Sequence, residues 1–289
     1  MSTPERRTLT APDGLALSYV EVGDPDGAPV LHHHGGLLSA TDVVPLDDLA
    51  RRLGIRLLCA DRPGVAGSAP RPGRTTADAA VDARVLLDAL GIERVRVTGW
   101  SMGGQYALGT CAGLGDRVLA AAVVAGCLPL DDPANLAELN AMDRRFTAMA
   151  EHHRLALEKV ALLWGGLARF RPRAWAAAAS HGQGEADVAV VEQHADELAA
   201  SAHALDAQRA GIVEEYLAWA RPWGFGLADV PTRVEVWQGD DDHLVPPEWA
   251  ARLAAGLPDA GLHVVEGGGH FLLLEHGEEI LTGLLAIDG

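Results

Sequence analysis

The chain runs to 289 residues, 48% hydrophobic and 22% charged, with a formal net charge of −17. That length suits one large domain or two small ones, and that composition supports a sizeable core and excludes a disordered chain. So negative a surface repels polyanions, which argues against nucleic acid and anionic membrane as partners and otherwise serves solubility.

In chain order, "RRTLTA" and "LALSYVEV" flank Pro12-Asp13-Gly14 and predict two antiparallel strands around a turn. "GDPDGAP" (23–29) is a second turn, after which "VLHHH" (30–34) runs into glycines. "IRLLCAD" (55–61) and "RVRVTGW" (94–100) are strand-like, and "VLAAAVVAG" (118–126) is apolar throughout, as a strand covered on both faces should be. "TRVEVWQGD" (232–240) and "LHVVEGG" (262–268) complete the set. Helical patterns over 41–53, 75–90, 102–114, 247–256 and 277–286 lie between them. Strands alternating with helices predict an α/β fold, a mostly parallel doubly wound sheet built of right-handed crossovers. Residues 128–225 break this rhythm with long Ala/Leu/Glu-rich stretches and no strand-like run. They read as a helical insertion, which divides the chain into a core of 1–127 and 226–289 and an inserted segment of 128–225.

Three cysteines, Cys59, Cys111 and Cys127, are widely spaced and lie in apolar runs. They predict buried free thiols rather than a disulfide framework, and no metal site. No secretory h-region or membrane-spanning run is visible, so a cytoplasmic monomer or homodimer is expected.

"VTGWSMGGQYAL" (97–108) carries the chemistry. Gly99-Trp100-Ser101-Met102-Gly103 fits G-x-S-x-G, a nucleophile held on a tight strand-to-helix turn. The helix start beyond Ser101 offers free N–H groups, and the Met102 amide points where an oxyanion would develop. A serine needs a base. His270, after three glycines in "VVEGGGHFLLLEH", is the candidate. The base needs an acid to fix its tautomer. Asp240, Asp241 and Asp242 follow the preceding strand, and Asp242 is the candidate among them. The order Ser…Asp…His is the one expected of such a sheet. A second oxyanion donor should come from "LHHHGGLLS" (31–39), where Gly36 is the candidate and His34 would brace the glycine loop. Strand alternation turns His33 away from His32 and His34, against a shared metal.

Together these residues resemble the α/β-hydrolase family, and the resemblance covers nearly the whole chain. "HGG" (34–36) resembles its oxyanion loop, and "DRPGVAGS" (61–68) its D-R-P-G-x-G-x-S loop, with Ala66 where glycine is usual. "GWSMGG" (99–104) resembles the nucleophile elbow. "GDDDHLVP" and "GGGHF" resemble the acid and base segments, and the family's acid stands three residues after the glycine, at Asp242. The resemblance implies a cofactor-free serine hydrolase with a Ser101–His270–Asp242 triad and a helical cap at 128–225. It implies cleavage of a carboxylic ester, lactone or thioester through an acyl-enzyme. Carbon–carbon hydrolysis or acyl transfer by the same triad is the alternative, and a non-catalytic binding relative a further one. Haloalkane dehalogenases and epoxide hydrolases of the family need a carboxylate nucleophile, which is absent here. Trp100, Leu37, Trp164, Trp219, Trp223 and Phe271 are the candidate pocket residues for an apolar or aromatic substrate group.

Overall fold

A computed structural model describes residues 4–204 and 209–287. Strands β1 (Arg7–Thr10) and β2 (Ala16–Gly23) pair antiparallel. Their turn uses Gly14 at φ +83° and Asp13, whose carboxylate accepts the Leu15 amide at 3.0 Å. Then come β3 (Ala28–His33), α1 (Asp47–Arg52), β4 (Ile55–Ala60), α2 (Ala79–Ala89), β5 (Val95–Trp100), α3 (Gly103–Leu114) and β6 (Val118–Val124). Between β6 and the next strand the described residues form no strand, and the α-helices there are α4 (Pro133–Glu138), α5 (Ala141–His152), α6 (Arg154–Phe170), α7 (Pro172–Ala179), α8 (Glu185–Gln193), α9 (Ala195–His203) and α10 (Arg209–Ala220). The chain closes with β7 (Val234–Gly239), α11 (Glu248–Gly256), β8 (Ala260–Val265), α12 (Leu272–Glu275) and α13 (Gly277–Leu285).

The strands form one sheet in the order β1-β2-β4-β3-β5-β6-β7-β8. Every pair from β4 to β8 is parallel, and β1 and β2 are antiparallel to their neighbours. The predicted α/β class with a mostly parallel, doubly wound sheet is the observed one. Strand β6 shows why its sequence has no polar positions. Val118, Ala121 and Val123 join a core that includes Tyr106, Leu108 and Cys111 of α3. Ala120, Ala122 and Val124 alternate to the other face, with Ala50 of α1 and Leu281 and Leu284 of α13. All three cysteines are buried and free.

Two predicted helices begin differently. The pattern over 41–53 is a 3-10 turn at Ala40–Leu46 and only then α1, because Pro45 has no N–H to continue an α-helix. The pattern over 75–90 opens as a 3-10 turn, Thr76–Asp78, in which Thr75 and Asp78 form a capping box. Ala66 stands at φ +46°, so the D-R-P-G loop keeps at this position the left-handed conformation that glycine adopts more cheaply.

Candidate active site

Ser101 lies between the end of β5 and the start of α3, at φ +57°. A left-handed non-glycine residue costs roughly 1–3 kcal/mol and persists only where its surroundings over-determine it. Here the Ser101 amide donates to the Val124 carbonyl at 2.9 Å, and the Ser101 carbonyl accepts from Gly104 at 2.9 Å. The turn is closed by backbone contact. A Cβ on Gly103 would stand 2.0 Å from the His33 carbonyl oxygen, so only glycine lets α3 start so close to β3.

His270 and Asp242 come from the loops after β8 and β7, which are neighbours in the sheet. His270 Nδ1 donates to Asp242 Oδ2 at 2.9 Å, with both side chains buried. The other carboxylate oxygen accepts the Leu244 and Val245 amides at 2.8 and 2.9 Å, and Gln238 Nε2 donates to Oδ2 at 2.9 Å. Burial pushes the Asp242 carboxyl up, but the His270 charge and these hydrogen bonds overcome it and hold it below the ordinary carboxylate value. Burial likewise pushes the His270 imidazole down, and the Asp242 charge and hydrogen bond, then Asp187 and Asp143, raise it above its ordinary value. Neither neighbouring acid competes for this place: Asp240 accepts the Gly267 amide at 2.7 Å, and Asp241 contacts His243 at 3.1 Å.

The "HHHGG" run ends β3. His34 Nδ1 donates to the Gly35 carbonyl at 2.9 Å, and its Nε2 accepts the Arg62 amide at 3.3 Å. The Arg62 guanidinium also donates to the carbonyls of His34 and Gly35, and is backed by Glu215 of α10 at 2.6 Å. Gly36 faces Met102: a Cβ built on it would stand 3.2 Å from Met102 Cε. The two candidate oxyanion donors are therefore neighbours. Among the described residues, no protein acceptor takes the amide hydrogen of either. His33 points the other way, to Thr110 Oγ1 at 2.9 Å.

The buried histidines of this loop carry a stability consequence. Burial lowers His33 to about 3, and burial followed by the Arg62 charge holds His34 well below its ordinary value. Unfolded imidazoles protonate near 6.5, so below that pH the unfolded chain binds protons that the native chain refuses. Stability should therefore fall as pH drops from 6.5 toward 3, by up to about 1.4 kcal/mol per pH unit for each histidine. Urea midpoints measured from pH 7 to pH 4 should show the decline. His33→Gln, which does not titrate, should flatten it; an unchanged slope would refute the assignment.

Ser101 and His270 open on one cavity of about 310 Å³. Gly36, Leu37, Trp100 and Met102 line it from the sheet side, with Phe271 beside His270. Trp164 of α6, Trp175 of α7 and Trp219 of α10 line it from the inter-strand helices. Leu37, at φ +59°, is a second left-handed residue at this edge. Trp100 does more than supply an apolar wall: its indole Nε1 donates to the His270 carbonyl at 2.8 Å. Trp223 is a correction to the expected pocket set. It does not line the cavity; it is buried in the core against Phe225, at 5.6 Å between ring centroids, and its carbonyl accepts the Ala77 amide at 2.8 Å. Its place in the return segment "RPWGFG" carries it away from the cavity to the 3-10 turn at Thr76–Asp78.

Four polar residues were not singled out in the sequence. Asp143 of α5 borders the cavity, where its carboxylate accepts Tyr216 Oη at 2.6 Å and Asn140 Nδ2 at 2.7 Å. Burial pushes that carboxyl up against these bonds. Asp187 of α8 accepts the amides of His270 and Phe271, each at 2.9 Å. Arg62 and Glu215 hold the glycine loop as described. No lysine or arginine is among the described lining residues, and no group of three or more His, Cys, Asp or Glu among the described residues could hold a metal ion. No helix among them is long and apolar enough to cross a membrane.

Comparison with known proteins agrees with this architecture. Residues 28–277 match the family model of the alpha/beta hydrolase fold. An esterase from Exiguobacterium antarcticum superposes with a TM-score of 0.73 at 18% identity, covering 98% of each chain. A bromoperoxidase from Bacillus anthracis gives 0.68 at 20% identity, over 97% of this chain and 99% of that one. The enol-lactonase from Burkholderia xenovorans gives 0.66 at 18% identity, over 96% and 99%. At such identities the solved structures speak for the fold alone, whereas the family match spans most of the sequence: the chain belongs to the alpha/beta hydrolase fold family.

Proposed function

We propose that this protein is a serine hydrolase that cleaves the carboxylic ester, or lactone, of a small and largely apolar substrate through an acyl-enzyme on Ser101. The observation that carries the reading is the buried His270–Asp242 pair opening, with Ser101, on one aromatic-walled cavity. Ser101 Oγ attacks the acyl carbon while His270 Nε2 takes its proton. The amides of Gly36 and Met102 bind the oxyanion as charge develops there. Asp242 holds the proton on Nδ1 and stabilises the imidazolium. His270 returns the proton to the leaving alcohol. It then activates a water that attacks the acyl-enzyme and regenerates Ser101 with release of the carboxylic acid. The cycle is redox-neutral and needs no cofactor.

Helices α4 to α10 act in this reading as a cap over the carboxyl edge of the sheet, where the loops after β5, β7 and β8 converge. Their tryptophans supply the apolar wall, and the lack of a lysine or arginine among the described lining residues disfavours substrates with a free carboxylate. Esters with uncharged acyl groups in the general range of phenylacetyl or short alkyl chains are the fitting class. A fluorophosphonate probe should label the wild-type protein at Ser101, and a panel of p-nitrophenyl esters run beside lactones and amides should show esters or lactones turned over first. A chain that neither labels nor hydrolyses any member would sink the proposal.

The cap tryptophans give an internal control. Trp219→Ala and Trp164→Ala remove cavity wall and should change the relative kcat/KM across acyl lengths. Trp223→Ala should instead cost about 3–5 kcal/mol of stability and leave the acyl profile unchanged. Melting temperatures read alongside the ester series separate the two effects. A shifted profile in Trp223→Ala alone would reverse the assignment of wall and core.

A further inference from the structure

We propose that Asp187 is a positioning residue of this site: from helix α8 its carboxylate pins the main chain of His270 and Phe271, opposite the indole of Trp100, and so aims the imidazole. The proposal rests on reading His270 as the base.

The geometry is two-sided. Asp187 Oδ2 accepts the His270 amide and Oδ1 the Phe271 amide, each at 2.9 Å, so both oxygens are engaged by consecutive residues. On the other side of the same residue, the His270 carbonyl accepts Trp100 Nε1 at 2.8 Å. The side chain is held at Nδ1 by Asp242. With its amide, carbonyl and Nδ1 all fixed, His270 keeps little freedom except at the Nε2 edge. The clamp also sets the wall of the cavity, because Phe271 packs against Trp100 at 4.9 Å between ring centroids, with the rings tilted at 58°.

The sequence accommodates this carboxylate. A Cβ on Gly269 would stand 2.3 Å from Asp187 Cγ, so the third glycine of "GGGH" is the space into which the carboxylate fits. Asp187 is almost fully buried, and no cation neutralises it among the described residues. A buried carboxylate without a counter-ion is costly unless hydrogen-bonded. Its two charge-assisted amide bonds are of the strong class, so the arrangement is specific rather than incidental. The same segment also grips the acid loop, where His243 Nδ1 donates to the Gly182 carbonyl at 2.8 Å. The turn before α8 thus holds the acid loop through Gly182, and the first turn of α8 holds the base loop through Asp187.

The charges facing the imidazole come from three elements: Asp242 after β7, Asp187 on α8 and Asp143 on α5. Asp187 is the one that can be neutralised without removing either the partner at Nδ1 or a cavity-lining residue. Asp187→Asn keeps one acceptor and turns an NH₂ group toward an amide N–H, so one bond is lost together with the charge. The expected result is a fall in kcat/KM for a p-nitrophenyl ester on the order of 100-fold, mostly in kcat, as misplacement of a catalytic group by about 1 Å would give. The acid limb of the pH profile should move to lower pH, because one negative charge no longer favours the imidazolium. A purely structural role would lower the melting temperature and leave that limb where it is.

Gly269→Ala is the second variant. It keeps the charge but drives the carboxylate off its seat, so kcat should fall with less movement of the acid limb. It also decides the matter should Asp187→Asn fail to fold. His270→Ala serves as the reference for the underlying reading. If His270→Ala stays active, the assignment of the base fails; if it is inactive while folded Asp187→Asn or Gly269→Ala keeps wild-type kcat and pH profile, the positioning role is overturned.

Discussion

Ser101→Ala is expected to abolish ester turnover and leave the fold standing. The turn itself does not need the hydroxyl: it is held by the Ser101 amide on Val124, by the Gly104 amide on the Ser101 carbonyl, and by the glycine contact of α3 with β3. Alanine tolerates the left-handed conformation elsewhere in this chain, at Ala66 and Ala125. The substitution therefore removes the proposed nucleophile with little cost in packing. Loss of a triad serine has cost on the order of a millionfold in turnover in a serine protease, with the residue of activity coming from the oxyanion donors and binding alone. Steady-state hydrolysis of a p-nitrophenyl ester, fluorophosphonate labelling and the melting temperature read the three consequences. More than about a tenth of wild-type activity in Ser101→Ala, far above what a lost triad serine leaves, would remove Ser101 from the mechanism.

The parts of the protein that could be read from sequence are those fixed by local chemistry. The hairpin is marked by Pro12-Asp13-Gly14, and β6 by an unbroken apolar run that must face two layers. The elbow is marked by glycines at positions where a Cβ would strike backbone. Within the run of three acids, the resemblance to the α/β-hydrolase family points to Asp242, three residues after Gly239, and it is Asp242 that meets His270 Nδ1 while Asp240 and Asp241 bond elsewhere. What escaped depends on contacts between segments far apart in the chain. Asp187 sits 83 residues before His270 and reads as an ordinary first-turn acid of a helix. Glu215 lies 153 residues beyond Arg62 and reads as one more charge in a helical stretch. Trp223 differs for the opposite reason: composition groups it with the tryptophans of 128–225, but a short return segment carries it to the core. In principle, the third glycine of "GGGH" was a visible sign of Asp187, since a run of three exceeds what a turn alone requires; it shows that something approaches, without saying what.

The Asp242→Asn variant tests the acid, and its effect follows from which atoms are donors. The asparagine oxygen can keep the Leu244 and Val245 amides that Asp242 Oδ1 now accepts, so the loop should hold its shape. The NH₂ group then faces His270 Nδ1. Gln238 donates Nε2 to that position and to the Gly239 carbonyl, and its Oε1 has no partner among the described residues, so it can turn its amide to accept at the cost of the weaker bond to Gly239. The variant thus keeps the loop's backbone contacts while reversing the bond to the imidazole: Nδ1 must now accept, the proton moves to Nε2, and the base cannot take the proton of Ser101. In the comparable protease triad this inversion lowered turnover by roughly ten-thousandfold with the geometry intact. The pH behaviour carries an independent sign. The Asp242 charge and hydrogen bond raise His270 above its ordinary value, so the wild-type acid limb of kcat/KM should lie above 6.5 and that of the variant should fall. Asp242 is itself held below its ordinary value, so its contribution to stability is present at neutral pH and is lost only as pH drops through that lowered value. At pH 7 the variant forfeits it and should melt somewhat lower. Asp240→Asn and Asp241→Asn leave the Nδ1 bond untouched and should keep most of the wild-type rate. A severe loss in Asp241→Asn beside a mild one in Asp242→Asn would move the acid by one residue and overturn the triad assigned here.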